Sequence, residues 1–146
     1  MSRISTHTLG VALAATLCFG SFAAYGDDAE RTTNDGVYSW DQSLRGQQAF
    51  QKNCAVGCHL ADMTGSERAP GLAGDSFMLR WNGQTVGDLF LRIQMTMPQT
   101  APHSLDDKTY ADIVAYILSA NGLPDGEAEL GYDASVLKTV RFVPAQ

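Results

Sequence analysis

Six residues near the middle of the chain, Cys54-Ala55-Val56-Gly57-Cys58-His59, constrain everything around them. Two thiols about one helical turn apart, followed at once by an imidazole, can hold a haem by thioethers to its vinyl groups and ligate its iron from the same segment. The common attachment signal is Cys-x-x-Cys-His. Here one extra residue separates the cysteines. A spacing of four still leaves Cys54 and Cys58 as neighbours on one helix face. Gly57, with no Cβ, takes up backbone distortion that another residue would resist. The segment therefore reads as a lengthened haem-attachment loop. A small disulfide between the cysteines leaves His59 unexplained. A zinc site would need adjacent Cys58 and His59 to share one ion, at a spacing that fits no common zinc pattern. A redox-active dithiol lacks both the two-residue spacing and an alternating strand-helix pattern around it.

The first 26 residues read as a secretory signal peptide, with Arg3 as the positive region, an apolar run over Leu9–Phe22 and small residues before a cut after Gly26. Cleavage after Ala23 is the second choice. Cys18 leaves with this segment, so the remaining cysteines are both in the motif. The predicted product is periplasmic, with no apolar run after the leader long enough to span a bilayer. The net charge is −6, and one unit more negative without Arg3. That balance disfavours nucleic acid and turns the expected choice of partner towards basic patches.

Residues 27–41 are polar and aperiodic and read as a mobile arm. From Asp41 the pattern becomes helical through Leu44, Ala49 and Phe50 to the cysteines. Gly46 and Phe50, four apart, suggest a face closely packed on another helix. The stretch from His59 to Gly74 has no apolar periodicity and needs something to wrap, which a haem edge supplies. Trp81 follows in an apolar cluster with Phe77 and Met78; it fits a core role, and its indole N–H also suits a haem propionate. Thr85 is placed to cap a helix with the face Val86, Leu89, Phe90 and Ile93, ended by Pro98. Ser104 is the expected cap of the last helix, with Tyr110, Ile113, Val114, Ile117 and Leu118 buried and Asn121-Gly122 as its stop. Residues 42–122 thus form one domain, and 123–146 an extended tail packed on it.

A six-coordinate iron needs a ligand opposite His59. Met63 is too near in sequence to reach the other haem face, and Met78 fits the core. Met97, forced out of helical geometry by Pro98, is the first choice, Met95 the second and His103 the third. No nucleophile with an adjacent base, phosphate loop or catalytic carboxylate pair is present, so an electron carrier is expected rather than an enzyme.

The Cys-x3-Cys-His motif, Ala69-Pro70-Gly71-Leu72, the Met97-Pro98 turn and the helix from Tyr110 to Leu118 together resemble the class I c-type cytochromes. The run from Trp81 through Gly83-Gln84-Thr85-Val86-Gly87-Asp88-Leu89-Phe90 to Asn121-Gly122-Leu123-Pro124 is similar, more narrowly, to cytochromes associated with quinoprotein (PQQ-dependent) alcohol dehydrogenases. The resemblance implies an all-α single-domain fold of three main helices around one covalent haem c. It also implies thioethers at Cys54 and Cys58, axial ligands at His59 and Met97, and haem contacts that include Leu72 and Trp81. The Pro70 carbonyl would then orient the other nitrogen of His59. A quinoprotein dehydrogenase is the implied donor and another cytochrome or an oxidase the acceptor. If Met97 does not bind, the alternative is a five-coordinate haem protein that takes a gas ligand or acts as a weak peroxidase.

Replacing both Cys54 and Cys58 with Ala is expected to abolish haem retention through denaturation and to leave a poorly folded chain. Denaturing gels stained for haem peroxidase activity read this directly. Staining equal to that of the unaltered protein would exclude covalent attachment.

Overall fold

The computed structural model describes residues 30–145; the leader over 1–26, with Cys18, lies outside the described residues, as does the start of the arm. The elements run β1 (Arg31–Thr32), α1 (Trp40–Phe50), a wider-turned continuation (Gln51–His59), α2 (Asp75–Trp81), α3 (Val86–Thr96), α4 (Asp107–Ala120), α5 (Ala134–Leu137) and β2 (Val140–Arg141). The three longest helices are those expected from the sequence. The two short helices and the strand pair were not.

α1 begins where the Ser39 side chain accepts from the Gln42 N–H. Its buried face is not the one that apolar spacing suggests. Leu44 is exposed, while Gln42, Ser43, Gly46 and Phe50 are buried. The reason is Gly46. A Cβ there would lie 1.8 Å from the carbonyl oxygen of Asp112, so α1 and α4 cross backbone to backbone at this point. Asp112 is buried beside the crossing, and its carboxylate accepts from Arg45 of α1 and from Lys108 one turn earlier on α4. Arg45 also reaches Glu129 of the tail at 2.7 Å. Phe50 then packs on Tyr116, with ring centroids 5.5 Å apart.

α3 starts at a full capping box: Thr85 accepts from the Asp88 N–H, and the Asp88 carboxylate accepts from the Thr85 N–H. Hydrogen bonding from the Thr85 hydroxyl holds the Asp88 carboxyl below its ordinary value. Val86, Leu89, Phe90 and Ile93 are buried as their spacing requires. The last helix is capped two residues later than expected. Ser104 is exposed and makes no cap; the Asp106 side chain accepts from the Thr109 N–H, and the helix begins at Asp107. Asp and Ser serve comparably as caps, so the choice between them falls to where α4 must start in order to pack. Asn121 and Gly122, the latter at φ +73°, end it.

The N-terminal segment corrects the expectation of a mobile arm. β1 pairs in parallel with β2, Arg31 opposite Val140 and Thr32 opposite Arg141. Thr33 is fully buried, and its hydroxyl both donates to the Val143 carbonyl and accepts from the Val143 N–H. Tyr38 is buried with its hydroxyl donating to Leu123 O at 2.6 Å. Gly36, at φ +60°, meets Gly126 so closely that a Cβ on Gly126 would lie 2.1 Å from the Gly36 carbonyl. All these partners belong to the C-terminal tail, more than eighty residues away, which is why local polarity suggested solvent. The tail is folded rather than extended. It forms α5, places Leu137 and Phe142 in the core and contributes β2. Phe142 completes an aromatic cluster with Phe77 and Trp81, at centroid distances of 6.3 and 5.9 Å.

The α1–α4 crossing is testable by the sign of one substitution. Glycine to alanine in a helix interior is favourable by about 1 kcal/mol on propensity alone. At Gly46 the added methyl must push the two backbones apart, and overpacking of this kind costs about 1–3 kcal/mol or more. Gly46→Ala is expected to lower the thermal midpoint, and Gly46→Val to lower it further.

Candidate haem site

The widened motif is not a regular helical turn. Through Ala55 the chain stays helical, but Val56 turns to ψ 109° and Gly57 to φ +72°, so the two cysteines do not share a continuous helix face as their spacing suggested. Beyond this step Leu60 N–H donates to Ala55 O, five residues back rather than four. The extra residue is absorbed outward. Val56 is 80% exposed, and a Cβ on Gly57 would meet nothing within 4 Å. The positive φ is where a glycine is needed.

The loop after the motif folds back on it. Ser66 Oγ donates to Cys58 O at 2.7 Å and Gly65 N–H to His59 O at 3.1 Å. Met63, though in an aperiodic stretch, is buried in the core, and its carbonyl accepts from Leu72 N–H at 2.9 Å. Pro70 is thereby carried to His59, whose Nδ1 lies 2.8 Å from the Pro70 carbonyl oxygen. A carbonyl has no proton to give, so Nδ1–H donates and His59 is fixed as the tautomer with its lone pair on Nε2. Asn121, at the end of α4, closes the same loop. Its amide donates to Leu72 O at 2.9 Å, and its side-chain oxygen accepts from Gly74 N–H at 3.0 Å.

These segments surround a cavity of about 520 Å³. Cys54, Cys58 and His59 line it from the motif, and Pro70 and Leu72 from the following loop. Trp81 lines it from the end of α2 and Met97 from the turn after α3. The seven residues singled out in the sequence thus meet at one place. Trp81 is both core and wall: it is buried against Phe77 and Phe142 and still faces the cavity. Burial, with the neighbouring Cys58 adding to it, pushes the Cys54 thiol up to about 11. That direction is the opposite of the lowered value that marks a reactive redox cysteine. Nor do the described residues bring three or more His, Cys, Asp or Glu side chains together as a zinc site would require.

The three candidates for a second iron ligand separate clearly. Met97 lines the cavity at φ −130°, ψ 151°, the extended geometry that Pro98 imposes. Met95 is 68% exposed on α3 and does not line the cavity. His103 is exposed and does not line it either. The Met97 turn is held from behind by a residue that the sequence marked only as core: fully buried Tyr110 donates its hydroxyl to Met97 O at 2.8 Å. Sequence reasoning also missed the apolar wall, Phe50, Leu89, Ile93, Ile113 and Ile117, and the arginines Arg68, Arg80 and Arg92 beside it. The wall residues had been read as buried; which of them face one another across a void was not in their spacing.

A cavity of this size falls within the range that encloses a large organic ligand, with mostly apolar walls and a few placed polar groups. The residues present fit a haem: two cysteines at one edge, an oriented imidazole with a free lone pair, a thioether, and cationic groups of the sign that propionates need. The class they define is an all-α cytochrome c domain, a haem-based electron carrier. Residues 41–117 match the family described as cytochrome c oxidase, cbb3-type, subunit III, and the chain belongs to that family. No curated protein and no solved structure matches the chain.

Tyr110→Phe removes the hydroxyl while keeping the ring. It is expected to cost about 1–3 kcal/mol, the range for leaving a buried acceptor unpaired. The effect should concentrate at the ligand turn, so that amide exchange at Met97 and Ala101 quickens more than at the α4 core.

Proposed function

We propose that the chain is a periplasmic one-electron carrier holding one covalent haem c, with Cys54 and Cys58 as thioethers and His59 and Met97 as axial ligands. The observation that carries this reading is His59. Its Nδ1–H is committed to Pro70, leaving Nε2 as the only ring nitrogen able to bind iron, inside a cavity that Met97 and both cysteines also line. A haem bound there supplies a ferrous–ferric couple. The protein's part is to hold its ligands still. The Pro70 carbonyl fixes the imidazole plane and strengthens its donor character, as partners behind a ligating histidine do. Tyr110 anchors the Met97 turn, and the apolar wall keeps water from the site. An imidazole and a soft thioether as the protein's iron ligands would favour the reduced state relative to two harder donors.

Among the described residues no helix is long and apolar enough to cross a membrane. The cytochrome c domain and the leader-like N-terminal sequence support a place outside the cytoplasm. The likeness of the Trp81–Phe90 run to cytochromes of quinoprotein alcohol dehydrogenases supports such a dehydrogenase as electron donor. The family is named for an oxidase subunit, which supports an oxidase, directly or through another cytochrome, on the accepting side.

Met97→Ala is expected to leave the haem attached, since the cysteines hold it independently, and to open the distal side of the iron. The potential should fall on the order of 0.1 V, a part of the roughly 0.8 V that axial ligands span. The weak sulfur-to-iron band of the oxidised protein should vanish, and the reduced protein should gain carbon monoxide binding. Met95→Ala, made alongside, should change none of these. A band that survives in Met97→Ala and is lost in Met95→Ala would move the ligand to Met95. An unaltered protein that binds carbon monoxide readily would replace the carrier by the five-coordinate alternative.

A further inference from the structure

Sixteen carboxylates against ten lysines and arginines give the chain a net charge of −6, yet its cavity is bordered by the opposite sign. Arg68, Arg80 and Arg92 line it, and no Asp or Glu does. They come from three separate segments, the loop after His59, the last turn of α2 and α3. All three side chains are exposed. Among the described residues none of the three makes an ion pair, whereas Arg45, Lys108 and Arg141 each do. Three of the four arginines that make no ion pair among the described residues thus stand where the site meets solvent, Arg31 of β1 being the fourth, while Asp112, Glu129 and Glu30 are engaged by other cations.

Position matters more than the total. The Debye length is about 8 Å at physiological ionic strength, so a surface approaching the cavity responds to the charges that border it more than to carboxylates farther away than that. A long polyanion such as nucleic acid extends past the border and meets the acidic remainder. A compact acidic patch does not. The exposed side chain of Val56, which also lines the cavity beside the cysteines, adds an apolar contact at the same place.

We propose that the arginine-bordered mouth of the cavity is the docking face for a redox protein, and that this partner presents a carboxylate-rich patch to Arg68, Arg80 and Arg92. This is the reverse of the basic partner surface that net charge alone suggests. That the partner is a redox protein rests on the carrier reading; the sign of its patch does not. The competing account is that the propionates of a bound haem neutralise the arginines and leave net charge in control.

The two accounts predict opposite signs. Oxidation of the reduced holoprotein by anionic hexacyanoferrate(III) and by cationic tris(phenanthroline)cobalt(III) is followed by stopped flow across ionic strength. With a basic docking face the anion's rate falls as salt rises, by about tenfold, the lower end of what focused fields contribute to association. If net charge governs, the anion's rate rises with salt, and the proposal is overturned. The triple variant R68Q/R80Q/R92Q, all at exposed positions, should invert the anion's salt dependence once rates are corrected for any measured change in potential. An unchanged salt dependence in that variant would also overturn it. Polyglutamate added to the holoprotein should shift the amides of Arg68, Arg80 and Arg92 in a salt-reversible way, with polylysine shifting a different face. That mapping needs no electron transfer: a protein that binds polyglutamate at these arginines but takes no electron keeps the acidic-partner face and loses the carrier reading, and polyglutamate bound elsewhere removes the face itself.

Discussion

The contact between Gly46 and the Asp112 carbonyl sets the frame in which every other element is placed. With a Cβ position only 1.8 Å from that oxygen, α1 and α4 meet backbone to backbone, and any side chain at position 46 has to push them apart. Next to the crossing, Phe50 of α1 and Ile113 and Ile117 of α4 reach the cavity wall together. Because the motif continues directly from α1, the crossing also fixes where Cys54, Cys58 and His59 enter the site. The Asp112 carboxylate, paired with Arg45 and Lys108, holds the same junction by charge. Arg45 and Lys108 keep their charged ends partly in solvent, so the pairs satisfy the buried carboxylate more than they add net stability.

Around that frame, backbone hydrogen bonding does what regular secondary structure cannot. Residues 60–74 form no helix, yet their peptide groups are tied to the His59 and Met63 carbonyls and to the Asn121 side chain, and the Ser66 hydroxyl to the Cys58 carbonyl. The consequence is chemical. Pro70 can hold the imidazole of His59 in one tautomer only because its loop is itself immobilised. Elsewhere the segment before α1 and the tail clasp each other through β1 and β2, Thr33 and Tyr38, and the tail's Phe142 completes the aromatic cluster with Trp81.

The sequence by itself determined the chemistry and the regular helices. The Cys54–His59 motif, the Met97-Pro98 step and the 3.6-residue periodicity of α3 and α4 are local properties, decided by residues within a few positions of one another. Thr85 as a cap and Gly122 as a stop were legible for the same reason. Even the outward step at Gly57 could be anticipated, because only a residue without a Cβ adopts that φ at little cost.

What tertiary structure alone decided depended on partners distant along the chain. The N-terminal segment reads as a polar arm until Val140–Val143 supplies its hydrogen bonds, and Leu44 reads as core until Gly46 turns that face of α1 away from it. Ser104 and Asp106 are equivalent caps in isolation, and packing chose between them. Met97 was separable from Met95 by local geometry, but that Tyr110 holds it follows only from where α4 lies against the end of α3. The arginines at the cavity show the same limit in electrostatic form. Composition yields a net charge, whereas the fold decides which charges stand together and which are already paired, and screening makes that arrangement, rather than the sum, what an approaching partner feels.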